Sequence, residues 1–210
     1  MKSTYGKLTA ALITAWFVFA LAAGAAGWFQ TPPNLPPLPL LLSVLIPITV
    51  FTLWYFTAPG FREFALSLSP QALTRVQAWR IIGFVFIPLY AFGLLPGFFA
   101  IPTGWGDVFI GATALLAASK LAQPEHRGAF IFWQFLGIAD LVIALSAGAS
   151  AGFLYPNGIP TSSVTMMPLS IIPTFGVPLA LILHFICIAQ ARRWPVAEHV
   201  TAASARSFAR

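Results

Sequence analysis

The chain is predicted to be an all-α integral membrane protein, a six-transmembrane-helix bundle with both termini cytoplasmic, and three observations predict it. Six apolar stretches, at about residues 8–29, 38–58, 76–95, 105–121, 128–149 and 167–189, each come near the ~20 residues that cross ~30 Å of hydrocarbon as a helix. Apolar residues make up 59% of the chain and charged residues 8%, with a mean hydropathy of +0.86, where soluble domains carry ~25% charge. The eleven lysines and arginines fall at the ends of alternate connections, and the three opposite connections carry none. The positive-inside bias then places both termini in the cytoplasm. Residues 1–191 read as one transmembrane bundle and 192–210, polar and without an apolar face, as a mobile cytoplasmic tail.

Lys2 and Lys7 precede the first span, whose small residues Ala22 to Gly27 resemble a leader cleavage site. The stretch runs on to Trp28 and Phe29, and that length favours an uncleaved span. A stiff connection of prolines, residues 31–37, leads to the second span. In residues 61–68, Phe61, Phe64, Ala65 and Leu68 share one helical face, with Arg62, Glu63 and Ser67 around the other; an amphipathic helix along the inner leaflet is expected. Ser69 and Pro70 form an N-cap and first-turn pair, so the third helix should begin before its apolar stretch.

The fourth span is expected to start at Trp105, with Gly104 and Gly106 in a turn and Asp107 in the first helical turn at the outer end. Trp28 and Trp105 are assigned to outer boundaries and Trp54, Trp79 and Trp194 to inner ones, with Trp16 the exception. Residues 150–166 form a long uncharged outer connection. In the sixth span Pro168, Pro173 and Pro178 predict a bent helix. Residues 79–104 and 133–158 align at Trp79/Trp133, Gly83/Gly137, Phe99/Phe153, Pro102/Pro156 and Gly104/Gly158. A duplicated helical hairpin is one reading of this; chance in a biased composition is the other.

The net charge of +6 is scattered over helix ends, which points to the bilayer and its anionic lipid headgroups and not to nucleic acid. A single cysteine, Cys187, supports neither an intrachain disulfide nor a multi-cysteine metal site. Only His184 is deep, so paired axial haem ligands are missing, and there is no phosphate-binding glycine loop or zinc pair of histidines. No cofactor and no metal is expected, and nothing in these residues supports an enzyme.

Chemistry should lie in the ionisable groups that enter the spans, since a charge at the bilayer centre costs at least ~2.5 kcal/mol. Asp140 is the foremost of these, about 18 Å of helical rise from the inner end of its span and so near the midplane. Trp133, Gly137 and Asp140 share a face that should point into the bundle, with Gly137 admitting a neighbouring helix. His184, Gln134 and Arg80 are placed at nearby depths. Arg80, with Gln77 one turn before it, reads either as a counter-ion to Asp140 or as an interfacial arginine snorkelling to headgroups. His184 reads either as a proton-exchanging partner or as a packing hydrogen bonder.

Gly104-Trp105-Gly106-Asp107 resembles the Gly-x-Gly-Asp element of intramembrane aspartyl proteases such as presenilins, signal peptide peptidases and prepilin peptidases. The resemblance implies Asp107 and Asp140 as two catalytic carboxylates and Pro178-Leu179-Ala180 as a loose echo of a Pro-Ala-Leu element. The chain departs from those families in three respects: Asp140 follows the element instead of preceding it, the last two residues of the third element are exchanged, and no lysine follows Asp107.

The sequence therefore leads to a membrane protein that moves or senses a small solute or protons through a polar site of Asp140, Arg80, His184 and Gln134. The other reading is a non-catalytic subunit or regulator that meets a membrane or cytosolic protein partner. The compact chain and clean charge bias suggest a bacterial plasma (inner) membrane.

Overall fold

The structure is a computed structural model that describes residues 2–32, 35 and 37–195, with side chains from Thr4 onward. Its helices are α1 (Lys2–Ala25), α2 (Leu38–Thr57), α3 (Pro59–Leu66), α4 (Pro70–Val76), α5 (Phe86–Ala91), α6 (Gly97–Leu116), α7 (Arg127–Leu154) and α8 (Val177–Ala191). Short 3₁₀ and π stretches extend these into six helices long and apolar enough to cross a membrane: Thr4–Ala25, Leu38–Thr57, Pro70–Ala91, Gly97–Leu121, Pro124–Leu154 and Ile172–Ala191. There is no strand among the described residues. The tail expected to be mobile lies, from residue 196 on, outside the described residues.

The third span is α4, a 3₁₀ stretch Gln77–Val85 and α5 in one continuous run. It starts where the sequence placed its cap: Ser69 Oγ accepts from the Ala72 amide at 3.2 Å and Pro70 opens the first turn. A 3₁₀ helix has three residues per turn, so side chains at i and i+3 eclipse. Gln77, Arg80 and Gly83 accordingly stand in one buried row, continued by Thr74 below and Phe86 above. This geometry aims a threonine, a glutamine and an arginine at the centre of the bundle.

The fourth span corrects the sequence reading. It starts at Gly97, and Gly104, Trp105, Gly106 and Asp107 are all inside α6, not in a turn at its outer end. The two glycines are there for close approach: a Cβ at Gly104 would meet Ile87 at 2.8 Å, and one at Gly106 would overlap the Asp140 carboxylate. Trp105 is 55% exposed on the flank of the helix, and Trp79 packs against Gly176, so neither marks a helix end. The aligned segments likewise fall on unlike elements. Phe99 to Gly104 are helical in α6, whereas Phe153 to Gly158 run from the end of α7 into a turn. The duplicated hairpin is not the architecture.

Among the apolar clusters of the described residues, two mark the ends of the bundle. Val44, Phe86, Leu95, Phe99, Leu141 and Val177 pack toward one end, and Tyr55, Phe61, Ala65 and Ile186 toward the other. At the second end α3 lies on the bundle through its apolar face: the Trp54 and Phe61 rings stack at 3.8 Å, and Tyr5 of α1 packs on Phe61 and Phe64. Gln190 Nε2 donates to the Leu68 carbonyl at 2.7 Å. The start of α1 and the end of α8 thus share one end of the bundle with α3.

Trp16, which no boundary explained, has a structural partner. Its Nε1 donates to the Thr174 carbonyl at 3.1 Å. The residue four beyond Thr174 is Pro178, which has no N–H to give, so the indole supplies a donor that the helix lacks. The π stretch Ile172–Gly176 interrupts the regular α-helical bonding just before α8, at Pro173 and ahead of Pro178, whereas Pro168 lies in the turn that precedes the span.

Candidate functional site

Arg80 is the centre of the site. It is 1% exposed and among the largest fully buried side chains of the described residues, so the snorkelling reading is replaced by the ion-pair one. Its Nε donates to Asp107 Oδ1 of α6 at 2.7 Å, and its Nη2 donates to Asp140 Oδ2 of α7. Nη1 donates to the Gly137 carbonyl at 3.2 Å and lies 3.4 Å from His184 Nε2 of α8. Four spans therefore converge on one guanidinium, whose planar fork can serve several acceptors at once where a lysine could not.

A helix starting at Trp105 would hold Asp107 at the outer end, well apart in depth from Asp140 near the midplane. With α6 beginning at Gly97, Asp107 instead sits more than two turns into the helix and shares Arg80 with Asp140. Three glycines make the convergence possible. A Cβ at Gly83 would strike Asp107, one at Gly106 would strike Asp140, and one at Gly137 would strike the His184 ring. Each ionisable side chain is seated on the bare backbone of the adjacent span.

A directional chain of hydrogen bonds runs from this cluster toward the end of the bundle that holds α3. Thr74 Oγ1 donates to the Pro70 carbonyl at 2.8 Å, so it accepts from Gln134 Nε2 at 3.3 Å. Gln134 then presents Oε1 to His184 Nδ1. That assignment makes Nδ1 the protonated nitrogen and leaves the Nε2 lone pair facing Arg80. Gln134 and His184 are completely buried, and Thr74 with them. Gln77, the next member of the 3₁₀ row, donates to the Ala180 carbonyl at 3.2 Å while its Oε1 has no partner among the described residues.

On the other side of the ion cluster a cavity of about 340 Å³ reaches toward the end that holds Thr31, Pro32, Leu35 and Pro37 and residues 155–165. Asp107 lines it, whereas Asp140, with a side chain 14% exposed, flanks the cluster without lining the cavity. The arrangement is thus an apolar vestibule, a carboxylate at its floor, a guanidinium shared with a second carboxylate, and a hydrogen-bonded chain beyond. One guanidinium against two carboxylates leaves one negative charge unmatched, in surroundings where an unpaired charge is expensive. One further positive charge, on a proton or a cation, would balance the set.

The structure brings together all four residues singled out from sequence, Asp140, Arg80, His184 and Gln134. It joins to them Asp107, named above through the protease resemblance, and Gln77, noted one turn before Arg80, and it adds Thr74. The period-three run Thr74, Gln77, Arg80, Gly83 and Phe86 was the signal for the last two, but a reading at 3.6 residues per turn spreads it around the helix. Asp107 was placed at the wrong depth because two glycines beside a tryptophan imitate a turn at an interface. Among the described residues no group of His, Cys, Asp and Glu is arranged to hold a metal ion, and the site is organised by the arginine instead.

A family model matches residues 35–192. The chain belongs to that family, described as Domain of unknown function (DUF8737). The matched part of this DUF8737 chain runs from just before α2 to the residue after α8, so it contains every member of the site and leaves α1 outside. No curated protein and no solved structure matches the chain.

Proposed function

We propose that this protein is a plasma-membrane bundle, both termini cytoplasmic, that moves or senses a proton or a small solute through the site of Arg80, Asp107 and Asp140. The observation that carries the reading is the unmatched carboxylate: a buried 2:1 set of aspartates on Arg80, open on one side to a cavity and continued on the other by His184, Gln134 and Thr74. A structural ion pair would need one aspartate, and polar groups on both sides of it are what a pathway requires.

Membrane insertion is supported by the surface. Leu42, Leu53, Ile82, Phe109, Leu116 and Phe132 are each more than half exposed on the flanks of the long helices, a cost in water and none in lipid. The orientation rests on Lys7, Arg62, Arg75, Lys120, Arg127, Arg192 and Arg193, which stand at the end shared by α3, the start of α1 and the end of α8, where anionic headgroups would meet them. Aspartyl proteolysis is less well supported, because its two carboxylates must share a proton and a water, and here a guanidinium stands between them.

Infrared difference spectroscopy on the protein in nanodiscs tests the reading. A carboxyl band that titrates in the physiological range and disappears in Asp140→Asn is expected, together with proton flux into dye-loaded proteoliposomes that the same substitution abolishes. A folded wild type with no titrating carboxyl band and no flux above empty vesicles overturns the proton reading, and leaves either a site for a solute or the packing device of a membrane subunit.

A further inference from the structure

We propose that the cavity above Asp107 is a binding site for an organic monocation, a protonated primary or secondary amine on a compact apolar body. The proposal deepens the functional reading and rests on it, since it names the solute that the same site would take.

The cavity is built by two helix faces. Phe99, Thr103 and Asp107 recur at every fourth residue of α6, and Leu141, Ala144 and Gly148 face them from α7. Asp107 is the one charged residue in the lining; the remainder is apolar, aromatic, or hydroxyl-bearing. A single negative charge at the floor of apolar walls is complementary to a single positive charge on an apolar body, and the phenyl rings beside it favour a cation further. An anion would be repelled. A metal ion would find too few oxygens, because calcium takes about six to eight and magnesium about six.

Two unengaged oxygens decide for a cation that carries N–H groups. Thr103 Oγ1 is buried and has no hydrogen-bond partner among the described residues; its residue is 4% exposed and lines the cavity. One turn deeper, Asp107 gives Oδ1 to Arg80, and Oδ2 takes no hydrogen bond from the described residues. An ammonium group seated between them satisfies both, whereas a quaternary nitrogen has no hydrogen to offer. A volume of about 340 Å³ is at the low end of small-molecule sites, about 300 to 1,000 Å³, so the apolar body is of the order of one aromatic ring.

The test uses the full-length protein in nanodiscs and three probes of nearly equal shape: 2-phenylethylamine, a cation at neutral pH, the neutral 2-phenylethanol, and the anion phenylacetate. Calorimetry, with empty nanodiscs subtracted, is expected to show saturable binding of the amine, with the alcohol and the acid at least about tenfold weaker. Asp107→Asn should remove the preference for the amine, and Ala144→Phe, which fills the cavity from α7 without touching the ion cluster, should remove binding. Equal affinity for amine and alcohol, or full amine binding in folded Asp107→Asn, overturns the assignment. If the Asp140 band titrates and no amine binds, the cavity assignment falls and proton handling stands. If the amine binds and no band titrates, the assignment stands and proton coupling falls.

Discussion

Arg80 and Asp107, twenty-seven residues apart in the chain, are joined at 2.7 Å between Nε and Oδ1, and the same guanidinium holds Asp140 with its Nη2. The pairing sets both the stability and the charge of the bundle interior, because each group is costly alone. Arg80→Met should leave two buried carboxylates without a cation and lower stability by about 3–5 kcal/mol, the usual penalty for breaking a buried ion pair from one side. Adding Asp107→Asn and Asp140→Asn to it should recover most of the loss. Equilibrium unfolding in denaturing detergent checks both; a triple variant no more stable than Arg80→Met would mean that the carboxylates are not what Arg80 offsets.

Gly106→Ala should be one of the most damaging methyl additions in the chain. The new Cβ would occupy the space of the Asp140 carboxylate, so Asp140 has to leave Arg80 or α6 and α7 have to separate. A cost of about 1–3 kcal/mol is expected for overpacking of this kind. Gly128→Ala, where a Cβ meets nothing within 4 Å, is the control and should leave the unfolding midpoint unchanged.

Trp16→Phe should cost about 1 kcal/mol, the net worth of a typical hydrogen bond, by leaving the Thr174 carbonyl without the indole donor. Pro178→Ala returns a backbone N–H four residues from that carbonyl. In a double-mutant cycle the Trp16→Phe penalty should therefore shrink in the alanine background. Equal penalties in the two backgrounds would show that the tryptophan acts by packing on Phe175, 4.8 Å away between ring centroids, and not by replacing the missing donor.

Labelling of single cysteines tests the topology. The native Cys187 is 1% exposed, which keeps the background low. Asn157→Cys, in the exposed turn after α7, should react with a membrane-impermeant maleimide in intact cells, and Glu125→Cys, at the opposite end, only after permeabilisation. The reverse pattern would invert the orientation inferred from the positive charges.

Gln134→Leu removes the residue that joins Thr74 to His184 and should destabilise by about 1–3 kcal/mol through the buried His184 Nδ1–H it strands, since Thr74 keeps its bond to the Pro70 carbonyl. If the chain conducts protons, flux in proteoliposomes should fall in this variant even where a folded bundle is recovered. Unchanged flux would remove Gln134 from the pathway and leave it a packing residue.

Much of the architecture was legible because bilayer-length apolar runs are local quantities that need no knowledge of partners. The helical class, the Ser69 cap, the apolar face of residues 61–68 and the inward face of Trp133, Gly137 and Asp140 all follow from spacing within a single element. What only the tertiary structure decided is which helix meets which. Arg80 has the same local sequence whether it snorkels or is buried, and its burial comes from two aspartates on other spans and from the backbone space at Gly83, Gly106 and Gly137. Asp107 looks like a helix start because glycine and tryptophan are ambiguous locally, and Gly104 and Gly106 become helical only because neighbouring side chains need their missing Cβ atoms. Charge cost in an apolar medium named the kinds of residue that matter; the close packing of the spans chose the partners that make those charges tolerable.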